Sequence, residues 1–473
     1  IAGRLHRVAD LALNVARQVG HLRHADFMDG YGLDEFFEEI ELGLSLIRPA
    51  LEGRKVKLVV RLCQVEGRLD ALYAERFKRL VRELDEGCGQ PGDRVTALMV
   101  VHYLERIGDL LLEIGELMIH IFFGENLNFA QYQALGAGLR AVGGELETAA
   151  AFQSIWGGRS GCRVGVVGRY GGDEVGRVDG QAVIFKHGPA AKLEKEQESL
   201  GFWASLRPGL CPAVKTFVPG PDGEDAALVM EYIDGPTLRD LFMNPGGQAE
   251  ARAALTEALN LLAGVWRDTR REEAVGAGFI RQAEKRLGPL RALYPDLLDF
   301  SGSWGALRLR PLEDLLAEAH SFEPAAPFSV RLHGDFNLPN VMRDESTGKL
   351  RFIDLHRSRQ GDYAQDVSVM MMSILRLPLS AREDRDRLAA AAGLAADFAL
   401  KFAAENNDPS AQARLAFGLA RSFLTSARFE PRRSAAVRFI GHSRHLLGRL
   451  IAFGRSGRPW PEFELDKRTL FVL

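Results

Sequence analysis

At 473 residues, with 46% hydrophobic side chains, the chain is long enough for two or three domains and an ample core. Its 60 basic and 63 acidic residues leave a net charge of −3, which excludes an overall electrostatic drive toward nucleic acid or membrane surfaces. Four scattered cysteines, Cys63, Cys88, Cys162 and Cys211, lack metal-ligand spacing and fit a reducing cytosol, and no apolar run approaches bilayer length. The best such run, Leu117–Phe123, is short and interrupted by His120. Ile1 stands inside a helical pattern, without Met and without a signal-peptide pattern, so the sequence reads as a fragment whose upstream residues are missing.

Residues 1–124 are expected to form four helices. Leu33, Phe36, Phe37, Ile40, Leu44 and Ile47 recur at three- and four-residue steps, the mark of one buried helical face. Val56, Val59, Leu62, Leu69, Leu72, Phe77, Leu80 and Leu84 carry a third helix, Gln90-Pro91-Gly92 breaks the chain, and Val101, Leu104, Leu111 and Met118 carry a fourth. Long helices with short connections predict an antiparallel bundle. On the fourth helix Glu105 and Asp109 are four apart and share a face, extended by His102 and Glu113; the third offers a second pair, Glu66 and Asp70. Such pairs repel unless they face solvent, a base or a cation, and a solvated face is the plainer reading.

The segment L-E-R-I-G-D, Leu104 to Asp109, resembles PhoU-like phosphate-uptake regulators. That resemblance implies paired three-helix bundles in which E-x-x-x-D motifs of neighbouring helices gather metal ions. Glu66, Asp70, Glu105 and Asp109 then become candidate ligands of a bundle metal. Leu5–Asp10 looks like the degenerate counterpart from a first repeat, with His6 where the family favours an acid. On that view Ile1–His24 closes the first repeat and residues 31–124 form the second.

Residues 125–150 read as a joint, helical in parts, with Gly143-Gly144 a soft spot. From 151 the pattern turns to short β-like runs, marking a smaller lobe over 151–235. Phe152–Trp156 leads into Gly157-Gly158-Arg159-Ser160-Gly161 and the apolar run Cys162–Val167. Gly157, Gly158, Ser160 and Gly161 would let backbone N–H groups approach phosphate oxygens, though a plain hairpin satisfies the same residues. Gln181–Lys186 places Lys186 at the end of an apolar strand, within reach of nucleotide α- and β-phosphates. The helical run that follows carries Glu194, Glu196 and Glu198. Leu228–Ile233 is a buried strand whose end, Met230, Glu231 and Tyr232, would form the hinge.

Residues 236–473 read mostly as amphipathic helix around one exception, VRLHGDFNLPNVMRDESTGKLRFIDLHRSRQGDYAQD, Val330 to Asp366. Two strand-like runs, Phe328–Leu332 and Leu350–Ile353, flank a polar turn. An Asp, an Asn and a second Asp on adjacent loops, Asp335, Asn340 and Asp354, form an oxygen set suited to Mg²⁺. A carboxylate left over from the metal can take a proton from an attacking hydroxyl, the division of labour that phosphoryl transfer needs.

H-G-D-x-x-x-x-N, His333 to Asn340, and I-D-x6-G-D-x3-D, Ile353 to Asp366, resemble the aminoglycoside phosphotransferase and choline kinase-like branch of the protein-kinase-like fold. The resemblance implies a two-lobed kinase-like domain, ATP bound with Mg²⁺, Asp335 as catalytic base, and Asn340 and Asp354 as Mg²⁺ ligands. It also implies that Glu196, with Glu194 and Glu198 as alternatives, holds Lys186, and that the backbone of the hinge at Met230, Glu231 and Tyr232 hydrogen-bonds adenine. Phe336 and Asn337 stand where relatives often carry Leu and His. Between Ala411 and Arg458, ten arginines face one acid, Glu430, which points from polycationic acceptors toward a neutral or anionic one. Arginines turned to water, or paired with a bundle of net charge −4 over residues 1–124, would explain the same count.

The expectation is therefore a cytoplasmic ATP- and Mg²⁺-dependent small-molecule kinase whose PhoU-like bundle is regulatory and a protein-partner surface, without nucleic-acid binding or a membrane span. The alternative is a phosphate-signalling protein that binds nucleotide without turnover. Protein phosphorylation fits less well, since only seven residues separate Asp354 from Asp362.

Overall fold

The computed structural model describes residues 1–473 except 88–89, 124–126, 142–150, 155–161, 169–181, 221–222, 300–301, 305–306, 380, 431 and 467–473. It divides into two compact units, Ile1–Leu193 with Lys215–Tyr232, and Glu194–Val214 with Ile233–Leu473.

The first unit opens with helices α1 (Ala2–Val19), α2 (Leu33–Gly53), α3 (Val56–Asp85) and α4 (Pro91–Phe123). Pro91 opens α4 ten residues before Val101, because a first-turn N–H needs no intrahelical partner and a fixed φ suits that position. Phe36, Ile40 and Ile47 of α2, Leu62, Leu69 and Leu80 of α3, and Leu104, Leu111 and Met118 of α4 are buried. Phe37, Leu44 and Phe77, expected on the same faces, are exposed: at 3.6 residues per turn they fall at the edge of the apolar stripe. Small residues set the approach of α3 and α4. A Cβ on Gly108 would lie 3.0 Å from Leu69 Cδ1 and 3.5 Å from the Glu66 Cα.

Helix α5 (Phe129–Ala141) follows inside the expected joint; Gly143 and Gly144 lie outside the described residues. Next come β1 (Ala151–Ser154), β2 (Arg163–Gly168), β3 (Val183–Pro189), α6 (Ala190–Leu206), β4 (Val214–Pro219) and β5 (Asp225–Glu231). The strands form one sheet in the order β1-β2-β3-β5-β4. Helix α5 packs on β3 and β5, where a Cβ on Gly138 would meet Val229 at 2.8 Å. The helical core and the sheet core are consequently continuous: Met118, Leu135 and Leu139 share one apolar cluster with Phe185 and Val229.

The second unit takes α6 from Glu194 onward and adds α7 (Leu238–Met243), α8 (Gln248–Thr269), α9 (Phe279–Leu293), α10 (Pro295–Leu298), β6 (Gly302–Trp304), β7 (Leu307–Leu309) and α11 (Leu312–His320). Then follow β8 (Val330–Leu332), β9 (Val341–Arg343), β10 (Leu350–Phe352) and β11 (Arg359–Gly361), and helices α12 (Ala364–Leu375), α13 (Arg382–Glu405), α14 (Ala411–Ala427) and α15 (Arg433–Arg455). The two expected strand runs do not pair with each other; β8 pairs with β11 and β10 with β9, both antiparallel. Thr237 and Asp240 form a capping box on α7, and Glu323 accepts from the Phe279 and Ile280 N–H groups at the start of α9. Trp266, Phe328, Tyr363 and Phe402 stack into an aromatic centre, and Met370–Met372 are core. Among the described residues no helix is long and apolar enough to cross a membrane.

Candidate active site

The β8–β11 pairing sets Leu332 opposite Arg359 and Val330 opposite Gly361, which carries the chain after β8 beside the first turn of α12. There the buried carboxylate of Asp366 accepts from the backbone N–H of His333 at 2.8 Å and of Gly334 at 2.9 Å. Burial pushes that carboxyl up to about 7, against the pull of the two N–H groups. Gly334 has φ +87°, and a Cβ there would strike the Arg357 carbonyl, so the turn before Asp335 requires glycine. His333 is enclosed by Trp203, Phe336 and Phe352, and burial pushes its imidazole down to about 4. It is a neutral structural histidine, whose Nδ1 accepts from the Asp335 N–H at 3.4 Å. Ser358 ties the surroundings together: its hydroxyl donates to the Leu332 carbonyl and accepts from Trp203 Nε1 and Arg331 Nε.

Asp335 therefore leaves a rigid turn with its carboxylate directed by neighbours. Oδ1 accepts from Asn337 Nδ2 at 3.2 Å and Oδ2 from Arg357 Nη1 at 3.0 Å. The half-buried carboxylate keeps 22% of its side-chain surface open to solvent. Asn340 Nδ2 donates to the Asp335 carbonyl at 2.9 Å, and the Asn340 carbonyl accepts from the Ile353 N–H at 3.0 Å, fixing the spacing of the two motifs.

Asp354 takes a left-handed backbone at φ 63°, costly for a non-glycine residue by about 1–2 kcal/mol. Its Oδ1 lies 3.0 Å from His356 Nδ1, while Arg357 Nε donates to His356 Nε2 at 3.1 Å. Nε2 is thus the acceptor, so Nδ1 carries the proton and donates to Asp354. A hydrogen-bonded chain, Asp354–His356–Arg357–Asp335, links the two motif aspartates. On α6 Glu196 is buried whereas Glu194 and Glu198 are exposed, and one ligand atom from each of Glu196, Asp354 and His356 lies within 4.8 Å of the other two. The Glu196 and Asp354 oxygens of this cluster suit a hard divalent cation, whereas both ring nitrogens of His356 are engaged by Asp354 and Arg357.

In the first unit Lys186 is not at a strand end. It is half-buried inside β3, opposite Val164 and Leu228, because the strand continues through His187 and Gly188 to Pro189. Met230 and Glu231 close β5, with Met230 opposite Ile184, and Tyr232 follows. Gly157, Gly158, Ser160 and Gly161 lie outside the described residues.

Glu66, Asp70, Glu105 and Asp109 do face one another across α3 and α4. Burial, and then the neighbouring carboxylates, hold Glu66 and Asp70 above the usual range; Glu105 is raised by burial and then Asp109. Asp109 is paired with Arg106 at 2.5 Å and Glu105 with His102 at 3.4 Å. The quartet does not converge as a metal centre would: among the described residues, the set of three ligand atoms within 4.8 Å is Glu196, Asp354 and His356.

Most of the ten C-terminal arginines have partners inside their own unit. Arg414 is buried between Asp362 and Asp408, Arg433 meets Asp296, Arg455 meets Glu318 at 2.6 Å, and Arg444 donates to the Leu297 and Leu298 carbonyls. Sequence reasoning missed His356 and Arg357, although both stand within three residues of Asp354, and it gave Asp366 no role.

Residues 33–118 match the PhoU domain, and residues 174–402 match the phosphotransferase enzyme family. The chain carries both domains. The phosphotransferase domain is similar to the aminoglycoside 3'-phosphotransferases of Escherichia coli and Salmonella typhimurium, each 28% identical over 200 residues that make up 41% of this chain and 69% of the relative. Among solved structures, an aminoglycoside phosphotransferase from Streptomyces rimosus aligns with 20% identity and a TM-score of 0.39, covering 62% of this chain and 98% of that one. An ethanolamine kinase from Plasmodium vivax aligns with 13% identity and a TM-score of 0.38, covering 65% and 84%. The PhoU domain spans α2 to α4, and the phosphotransferase domain contains every residue of the Asp354–His356–Arg357–Asp335 chain.

Proposed function

We propose that the chain is an ATP- and Mg²⁺-dependent phosphotransferase acting on the hydroxyl of a neutral or anionic small molecule, with the PhoU domain in a regulatory role. The observation that carries this reading is the Asp335 carboxylate, held on a glycine turn, partly open to solvent and linked by hydrogen bonds to Asp354. In this reading Asp335 accepts the proton of the acceptor hydroxyl, and Arg357 orients its carboxylate through Oδ2. Asn340, Asp354 and Glu196 would hold Mg²⁺, which when bound neutralises charge on the nucleotide phosphates. Lys186, backbone N–H groups of Gly157, Gly158, Ser160 and Gly161, and the Met230–Tyr232 hinge would bind the nucleotide. His356 keeps the Asp354 carboxylate in one orientation by donating to Oδ1.

The same proposal divides the chain into a bundle over 1–124, a linker over 125–150, a smaller lobe over 151–235 and a helical lobe over 236–473. It assigns the protein to the cytoplasm, in keeping with three buried free cysteines, Cys63, Cys162 and Cys211.

The test is ADP release from Mg-ATP across sugars, amino alcohols, nucleosides and sugar phosphates, for the natural chain and Asp335→Asn. Stimulation by one acceptor, lost in the variant, supports the kinase. One observation favours the second reading, nucleotide binding without turnover: both Asp335 oxygens already accept hydrogen bonds. Nucleotide binding with no acceptor-stimulated release would establish that reading instead.

A further inference from the structure

Two arginines on α14 are seven residues apart, two helical turns, and therefore on nearly the same face; both are buried. Their surroundings differ. Arg414 lies between the buried carboxylates of Asp362 and Asp408, which hold its guanidinium well above the ordinary range. Arg421 is 9% exposed and meets no carboxylate among the described residues. Among the described residues its one hydrogen bond is a 3.5 Å contact from Nη2 to the Ser368 hydroxyl and its Nε meets no acceptor, while its guanidinium carbon lies 5.5 Å from the Phe279 ring centroid. A ring face attracts the charge but satisfies none of its in-plane N–H donors.

A buried cation without a paired counter-charge costs several kcal/mol, and an anion bound there would offset that cost. More cations stand around it. Arg421 feels Arg286 and Arg359 as well as Asp335, and Arg286 in turn feels Arg428 and Arg357. The Nε of Arg428 is also buried without an acceptor. Burial, aided by these like charges, pushes Arg421 down to about 10. The carboxylates in range do not neutralise the group: Asp335 is paired with Arg357, and Asp366 is engaged by two backbone N–H groups.

We propose that the molecule phosphorylated by this chain is itself anionic, carrying a phosphate or carboxylate that Arg421, Arg286 and Arg428 bind beside Asp335. Phosphorylation of that molecule rests on the kinase function proposed above; the anion site does not. Planar, multiply donating guanidinium groups suit phosphate and carboxylate oxygens, whereas a polycationic acceptor would be repelled.

The experiment compares matched acceptors: glucose with glucose 6-phosphate, glycerol with glycerol 3-phosphate, galactose with galacturonate, and one aminoglycoside as the cationic arm. ADP release gives kcat and KM, and calorimetry follows glucose 6-phosphate and inorganic phosphate binding to the full chain with Mg-ADP present. The expected result is at least a tenfold higher kcat/KM for an anionic member. Its KM should rise about tenfold in Arg286→Gln and Arg428→Gln, one charge-assisted contact each, while its neutral twin moves less than twofold. Arg421→Met is the sharper variant if it folds; the other two are on better-exposed side chains and keep the test open. Exposed Arg438, near Glu430, is the control for general basicity, and Arg438→Gln should change neither member. Preference for neutral or cationic acceptors, or an anion preference untouched by Arg286→Gln and Arg428→Gln, overturns the inference and leaves the kinase standing. Anion binding weakened by those variants without any turnover removes the kinase reading and keeps the site. Absence of both anion binding at millimolar concentration and anionic turnover refutes the inference.

Discussion

In the PhoU domain four carboxylates stand on two straight helices, whereas in the phosphotransferase domain Asp335, Asp354 and Asp366 stand on loops and at a helix start. Helix geometry lets Glu66, Asp70, Glu105 and Asp109 share a face but gives them few donors, so burial and mutual repulsion raise Glu66, Asp70 and Glu105. Loops can turn backbone N–H groups and side chains inward: Asp366 gains two N–H donors, Asp335 gains Asn337 and Arg357, and Asp354 gains His356. That convergence needs unusual backbone, glycine at 334 with φ +87° and an aspartate at 354 with φ 63°. Regular structure brings like charges near each other; irregular structure supplies what makes them useful.

The strongest test of that contrast is Asp335→Asn, which should lower acceptor-dependent turnover by about 10²–10⁴-fold, as loss of a general base does, with nucleotide affinity by calorimetry nearly unchanged. Near-normal rates would remove the role given to Asp335. Next in size, Arg414→Ala leaves Asp362 and Asp408 buried without their cation and should cost about 3–5 kcal/mol of stability in denaturant unfolding. A loss below the error of the measurement would mean that water reaches those carboxylates. In the bundle, Gly108→Val forces a branched side chain against Leu69 and should destabilise by about 1–3 kcal/mol; an unchanged melting temperature would show α3 and α4 free to separate.

The smallest effect carries the opposite sign. Glu66→Gln relieves the repulsion with Asp70 and should stabilise by about 0.2–0.5 kcal/mol at neutral pH. Because folding raises the Glu66, Asp70 and Glu105 carboxyls, the folded state binds their protons more tightly than the unfolded chain. Their contribution to stability improves as pH falls through the raised values and is lost as pH rises above them. The gain from Glu66→Gln should therefore shrink in melts at acid pH. A variant that is instead less stable, and that loses binding of an added divalent cation, would make the quartet a metal site.

The spacing of His333, Asp335, Asn340, Asp354 and Asp366 made the kinase-like motif legible without coordinates, as did the three- and four-residue recurrence of apolar residues in the bundle. Phe37, Leu44 and Phe77 defeated the same periodicity, because a helix buries only the stripe its neighbours cover. Apolar character stops at Lys186 and so predicts a strand end there, yet pairing with β2 and β5 carries the strand on to Pro189. Charge partnership is the least legible in the sequence. Ten arginines can be counted, but their partners, Asp296, Glu318, Asp362 and Asp408 among them, lie up to 147 residues away in the chain.

What the sequence determined by itself was therefore local: residue type at fixed spacing, which sets helices, a turn that needs glycine, and the two linked motifs of the phosphotransferase domain. Tertiary structure decided which charges meet. It set Arg357 on Asp335 and His356 on Asp354, gave Arg414 two carboxylates, and left Arg421 two turns away with none among the described residues. Electrostatic partnership depends on distance and burial across elements far apart in the chain, and no periodicity encodes either.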